Sequence, residues 1–354
     1  CCQYISTCYE ETRTDYKLSK GNLMRILTLG AGSWGAAMAV HLAKMDHKVS
    51  LWDINDTAIR QMEKSGSHNF LSNLIMPAEI DYCTEIPNTS EFNIIIVAVP
   101  SHAVREVIDQ LPNLTEQVTI VNLAKGIENN SLLRMSEVIH EISGLPFENI
   151  VTLSGPSHAE EVSTGCPTAV VVGGTSESYV KRVQKAISTE IFRVYTNSDI
   201  IGVELGGSVK NVIAIASGIC DGVDFGDNAK AALITRGIVE IARLGVVMGA
   251  KAETFSGLSG IGDLIVTCLS RHSRNRYVGE EIGKGNKLDQ VVSSMKMVAE
   301  GVKTTKSVKA LSRKHSVEMP ICSAVHDVLF KDENPKEAVE KLMTRNLISE
   351  KFTL

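Results

Sequence analysis

The chain of 354 residues is 44% hydrophobic and 22% charged, an ordinary globular composition with enough length for two cores. Its net charge of −5 excludes a basic field of the kind that recruits nucleic acid or anionic membrane. No apolar run reaches the roughly 18 residues of a membrane span, so no membrane insertion is expected.

The first stretch, CCQYISTCYEETRTDYKLSKGNL (residues 1–23), is polar and aperiodic and resembles neither a signal nor a transit peptide. It lacks the apolar content that ordering needs and is read as an extension outside the fold. Three of the chain's eight cysteines fall in its first eight residues. None of the eight forms a C-x-x-C pair, so neither zinc nor a disulfide framework is expected, and free thiols fit a cytoplasmic location.

From Met24 the pattern alternates. MRILTLG reads as a buried strand, SWGAAMAVHLAKM as a helix, KVSLWD as a second strand and DTAIRQMEKSG as a second helix. Apolar runs follow at FNIIIVAVP, VTIVNLAKG, NIVTLSG, TAVVVGG and IFRVYTN. Short continuous apolar runs alternating with helices predict a parallel, doubly wound sheet. After Asn197 the texture turns helical throughout. The expected organisation is therefore an α/β domain over residues 24–202 and an all-helical substrate domain over 203–354.

The first strand runs into Gly30, Gly32 and Gly35, spaced G-x-G-x-x-G, and a helix follows. In that context the glycines predict a dinucleotide site: Gly30 for the tight turn, Gly32 for close approach to the pyrophosphate, Gly35 for helix–strand packing. The helix N-terminus offers free N–H groups to phosphate. Asp53, closing the second strand, can accept hydrogen bonds from an adenosine ribose.

Three features of the second half ask for one explanation. VELGGSVKNVIAIASG is apolar or small on every helical face, which predicts burial, yet it carries Lys210. Asp263 follows a glycine-rich turn at a helix start. Ser273 caps a helix with Arg274, Asn275 and Arg276 in its first turn, where basic residues are disfavoured unless an anion sits among them. Singly, Lys210 could snorkel, Asp263 could cap its helix, and the arginines could be a solvated face. Together with a dinucleotide domain they point to a site between the domains, where a lysine paired with a carboxylate can give a proton to a developing alkoxide. Lys125 follows another strand and could reach that cleft or be a surface turn lysine. Arg236 and Glu240, at i,i+4, read as a salt bridge. No cluster has metal-ligand spacing, so no metal is expected.

The stretches GAGSWG, VPSH, AKGIE, SGPSHAEEV, FRVYTNSDIIGVELGGSVKNVIAI, GLSGIGDLIVTC, SRNR and VAEGVKTT together resemble the bacterial type of NAD(P)-dependent glycerol-3-phosphate dehydrogenase, over Met24 to about Leu347. The resemblance implies a Rossmann-type domain followed by a helical one. It implies reduction of dihydroxyacetone phosphate to sn-glycerol 3-phosphate, the backbone of glycerophospholipids, with NADH or NADPH. It makes Lys210 the acid/base with Asp263 beside it. It places Lys125, Gly155, Ser157, Ser273, Arg274 and Asn275 at the substrate. It places Ser33, Trp34, Lys125, Ala159, Arg274, Val298 and Glu300 at the cofactor. A homodimer is family habit. Relatives often carry Arg or His just after the Trp of the second strand. Here the residues are Asp53, Ile54 and Asn55, which predicts that NAD is preferred over NADP.

Overall fold

A computed structural model describes residues 23–295, 297–347 and 349–350. All of the expected N-terminal extension but Leu23 lies outside the described residues. Eight strands form one sheet: β1 (Arg25–Leu29), β2 (Lys48–Trp52), β3 (Asp81–Cys83), β4 (Ile94–Val97), β5 (Thr119–Asn122), β6 (Ile150–Ser154), β7 (Thr168–Gly173) and β8 (Phe192–Asn197), in the spatial order β3-β2-β1-β4-β5-β6-β7-β8. Helices α1 (Ser33–Ala43), α2 (Asp56–Ser65), α3 (Val104–Asp109), α4 (Met135–Ser143), α5 (Ala159–Ser163) and α6 (Glu177–Ile187) connect them.

The continuous apolar runs are explained by burial on both faces. In β4, Ile94 and Ile96 enter one core with residues of α1 and α6, whereas Ile95 and Val97 enter the opposite core with residues of α3 and α4. That alternation is the strand period applied to a sheet covered on both sides.

The sheet is parallel except at one pairing. β7 runs antiparallel to β6, with Leu153 opposite Val172, and β8 then runs parallel to β7. Between β6 and β7 the chain has only the five-residue α5 and turns, and it doubles back. A parallel return needs a full crossover, which α6 supplies for β8. The three-residue β3 was not among the expected strands, being too short to show a periodic pattern.

Among the described residues after Asn197 there are no strands. The helix expected from Val203 begins at Ile200 and is α7 (Ile200–Gly222). Its N-cap Asp199 accepts the Gly202 N–H at 2.9 Å through Oδ1. Contrary to the sequence expectation, α7 is long and apolar enough to cross a membrane, but 94% of its most apolar window is buried inside the protein. Its cover comes from α8 (Gly226–Val247), α9 (Asp263–Leu269), α10 (Arg274–Gly283), α12 (Glu300–Lys314) and α13 (Pro320–Phe330). Two shorter helices, α11 (Leu288–Ser294) and α14 (Pro335–Met343), complete the C-terminal half.

Candidate active site

The carboxyl ends of β5 and β6 lead to Lys125 and Gly155, which meet the helical half at Asp263, on the side of a sheet where open α/β folds bind their ligands. After β1, Gly30 has φ +103°, and a Cβ there would sit 2.9 Å from backbone atoms of Ala98 and Val99. A Cβ at Gly35 would lie 1.9 Å from the Gly30 carbonyl oxygen, so α1 packs directly on the turn. At Gly32 a Cβ would meet nothing within 4 Å. Space is thus kept open at the α1 N-terminus, as the pyrophosphate of a dinucleotide requires. Asp53, after β2, accepts the Ala31 N–H at 2.7 Å and the Asn55 N–H at 2.9 Å. Its carboxylate is thereby fixed beside the turn. Trp34 packs toward Phe192. Ala159 opens α5, which packs against α1.

The lysine on the buried helix is answered from α9. Lys210 is 5% exposed, and its Nζ donates to Asp263 Oδ1 at 2.5 Å and to Thr267 Oγ1 at 2.6 Å. Asp263 uses its second oxygen on Lys125, whose Nζ donates to Oδ2 at 2.7 Å and to the Gly155 carbonyl at 3.2 Å. One buried carboxylate therefore holds two ammoniums. Burial pushes the Asp263 carboxyl up, but Lys125 and Lys210 overcome it and hold it below its ordinary value. Lys210 moves the other way. Burial pulls its pKa down to about 8 against the attraction of Asp263, and Lys125 adds repulsion. An ammonium has three donors. Among the described residues Lys210 spends two, and its third has no acceptor.

Around this centre the other expected residues fall into place unevenly. Ser157 Oγ donates to the Gly155 carbonyl at 3.0 Å. Ser273 caps α10 by accepting the Arg276 N–H at 3.2 Å, which leaves its own O–H free to donate. Arg274 is exposed and gives one N–H to the Val298 carbonyl at 2.9 Å, leaving most of its fork available. Asn275 is buried and both ends of its amide are engaged. It donates to Asn211 Oδ1 at 3.0 Å and accepts the Gly301 N–H at 2.8 Å, tying α10 to α7 and α12. Glu300 accepts the Ser101 N–H at 2.8 Å through Oε1, while its buried Oε2 has no partner in the protein. Burial raises its pKa. Met297 accepts a hydrogen bond from Ser33 Oγ at 3.5 Å, so the 297–300 segment touches the glycine turn and Arg274 alike.

Arg276 is not part of the cleft. It pairs with Asp221 at 2.7 Å and Glu280 at 3.3 Å, fastening α10 to the end of α7. Glu240 does not pair with Arg236. Its carboxylate accepts the Ile321 and Cys322 N–H groups at 2.7 and 3.1 Å, at the start of α13. Sequence reasoning missed Thr267. Its position four residues after Asp263 on one helix puts both on the same face, a signal that was there to use.

Two family models together match most of the chain. The NAD-dependent glycerol-3-phosphate dehydrogenase N-terminus covers residues 25–180, and the C-terminus of the same family covers 199–340. The chain belongs to the NAD-dependent glycerol-3-phosphate dehydrogenase family. It is 50% identical over 325 residues to glycerol-3-phosphate dehydrogenase [NAD(P)+] 2 of Salinibacter ruber, covering 91% of this chain and 94% of that one. It is 51% identical over 326 residues to the Chlorobium limicola glycerol-3-phosphate dehydrogenase [NAD(P)+], covering 91% and 98%. Among solved structures, the Coxiella burnetii glycerol-3-phosphate dehydrogenase superposes with a TM-score of 0.86 at 39% identity, over 91% of this chain and 99% of that one. D-mandelate dehydrogenase, at 14% identity and a TM-score of 0.57, shares the fold alone.

Proposed function

We propose that this dehydrogenase interconverts dihydroxyacetone phosphate and sn-glycerol 3-phosphate with Lys210 as the proton donor and acceptor. The observation that carries the reading is the unspent third N–H of Lys210, on an ammonium already gripped by Asp263 and Thr267. NADH or NADPH, bound at the glycine turn, supplies the hydride to the carbonyl carbon. Lys210 gives its proton to the carbonyl oxygen as that oxygen becomes a hydroxyl, and a neutral amine remains. Asp263 favours the charged form before transfer, and burial favours the neutral form after it. Lys125 also has a donor to spare and adds positive charge beside the oxygen. The Ser273 hydroxyl, the free N–H groups of α10 and the Arg274 fork are suited to the substrate phosphate. Binding that remote group positions the carbonyl against Lys210. The same reading assigns residues 24–202 to the cofactor and 203–354 to the substrate. It sets the product to glycerophospholipid synthesis in the cytoplasm, where the five free thiols of the described chain would stay reduced.

Lys210→Met keeps the stem and removes the donor. NADH oxidation driven by dihydroxyacetone phosphate should fall in kcat by about 10²–10⁴, with the Kd for NADH within about twofold of wild type by fluorescence titration. A variant that keeps near-wild-type kcat makes the lysine structural and ends this reading.

A further inference from the structure

The Ala31 residue of the glycine turn is held at both of its polar groups. Its N–H is bound by Asp53. Its carbonyl oxygen lies 3.1 Å from Nε2 of His68, a buried side chain on the loop after α2. The Phe70 N–H donates to the other ring nitrogen, Nδ1, at 3.2 Å, and the Phe70 ring packs edge-on against the imidazole. A nitrogen that accepts an N–H carries a lone pair, so Nδ1 is bare and the proton is on Nε2. His68 is thus a neutral donor fixed on the Ala31 carbonyl.

In a trans peptide the C=O and N–H point in opposite directions. None of the described peptide bonds is cis. Drawing the Ala31 oxygen toward His68 therefore turns the Gly32 N–H away from it. Among the described residues that N–H has no acceptor, and Gly32 has open space around its Cα. It stands at the head of an 11-residue helix, where its direction decides whether it can serve a phosphate.

We propose that His68 is a positioning residue for cofactor binding, which orients the Gly32 N–H onto the dinucleotide pyrophosphate by holding the Ala31 carbonyl. The proposal rests on dinucleotide binding at this turn. Nothing in it requires contact between His68 and the cofactor.

The two ring nitrogens can be tested apart. His68→Asn places an amide oxygen near Nδ1 and cannot reach the Ala31 oxygen, whereas His68→Gln carries an amide nitrogen out to the place of Nε2. Affinities are read by NADH fluorescence titration, with ADP and adenosine as competitors. H68N should weaken NADH and ADP by about tenfold and leave adenosine within about twofold. H68Q should recover most of the ADP affinity. At saturating NADH, kcat and the KM for dihydroxyacetone phosphate should stay within about twofold in both, which a general loosening of the domain would not allow. Should H68N not fold, His68→Phe, with bulk and no donor, supplies the same comparison against H68Q. ADP binding by folded H68N or H68F equal to wild type overturns the proposal. So does a loss shared equally by ADP and adenosine. If wild type bound neither NADH nor ADP, the dinucleotide site itself would be wrong, a separate result from wild type binding both and the variants not differing.

Discussion

Lys210 and Asp53 are single side chains whose proposed roles rest on charge, and each makes a measurable claim. With its pKa pulled down to about 8, Lys210 is mostly charged at neutral pH but titrates within the working range of an assay. Reduction consumes its proton, so kcat/KM for dihydroxyacetone phosphate should hold below about pH 8 and fall as the pH rises through it. Oxidation of glycerol 3-phosphate needs the neutral amine and should rise through the same pH. A reduction profile flat to pH 10 would contradict proton donation by Lys210. In the proposed reading, the Asp53 carboxylate faces the ribose end of the dinucleotide. Two charges of like sign at 4 Å repel by about 4 kcal/mol at an effective dielectric of 20. Solvent and salt reduce this, so NADH should be favoured over NADPH by roughly 10- to 100-fold in kcat/KM. Because Asp53 also holds the Ala31 N–H, the informative change is Asp53→Asn, which keeps an acceptor and drops the charge. It should narrow the ratio chiefly by improving NADPH. Equal efficiency of the wild type with both cofactors at one ionic strength would sink the preference. The sequence marked both residues through their unusual settings. The grip of Lys125 on Asp263 was not visible, because it joins positions 138 residues apart.

At the scale of elements, the site depends on how closely α7 and α10 cross. A Cβ on Gly218 would lie 1.9 Å from the Arg276 carbonyl oxygen, and one on Gly279 would lie 1.9 Å from that of Ile215. The two helices touch backbone to backbone. Lys210 is on one and the Ser273–Arg274 turn heads the other, so their separation sets the distance between the proposed proton and phosphate sites. Helix propensity alone makes Gly279→Ala stabilising by about 1 kcal/mol. The clash reverses that sign. Urea unfolding should show a loss of about 1–3 kcal/mol, with a raised KM for dihydroxyacetone phosphate. A more stable G279A would show that the helices have room to part. The helices themselves were legible. Ser273 caps α10 as its sequence indicates, and Asp263 opens α9. The run from Val291 to His315 was less so: its helical pattern is continuous, yet the chain breaks between α11 and α12 and brings Met297 to the glycine turn. Tertiary contacts decide that break, and local pattern does not contain them.

Across the whole molecule, buried charges join parts that pattern-reading treats as separate. Glu204 of α7 accepts from Arg134, from the N–H and hydroxyl of Ser136 and from Asn122, so the sheet half and the helical half share an ion pair in addition to that of Lys125 with Asp263. Glu240 plays a similar part within the helical half and gives stability a pH dependence. It is 3% exposed, and burial raises its pKa from 4.5 to about 7 despite the Ile321 and Cys322 N–H groups and the attraction of Arg243. The sign follows from proton counting. Between about pH 4.5 and 7 the native state binds more protons at Glu240 than the unfolded chain does, so unfolding free energy falls as pH rises and levels off above 7. From pH 5 to 8 this amounts to about 2–3 kcal/mol. Other carboxylates titrate over the same range, so the difference between two proteins isolates this one. Glu240→Gln stays neutral at every pH and can still accept the Ile321 N–H. Urea unfolding at pH 5, 6, 7 and 8 should show the stability of E240Q relative to wild type rising by about 2–3 kcal/mol across the series, most of it before pH 7.5. A difference that stays constant with pH would mean that Glu240 is ionised throughout, held so by the helix terminus it caps.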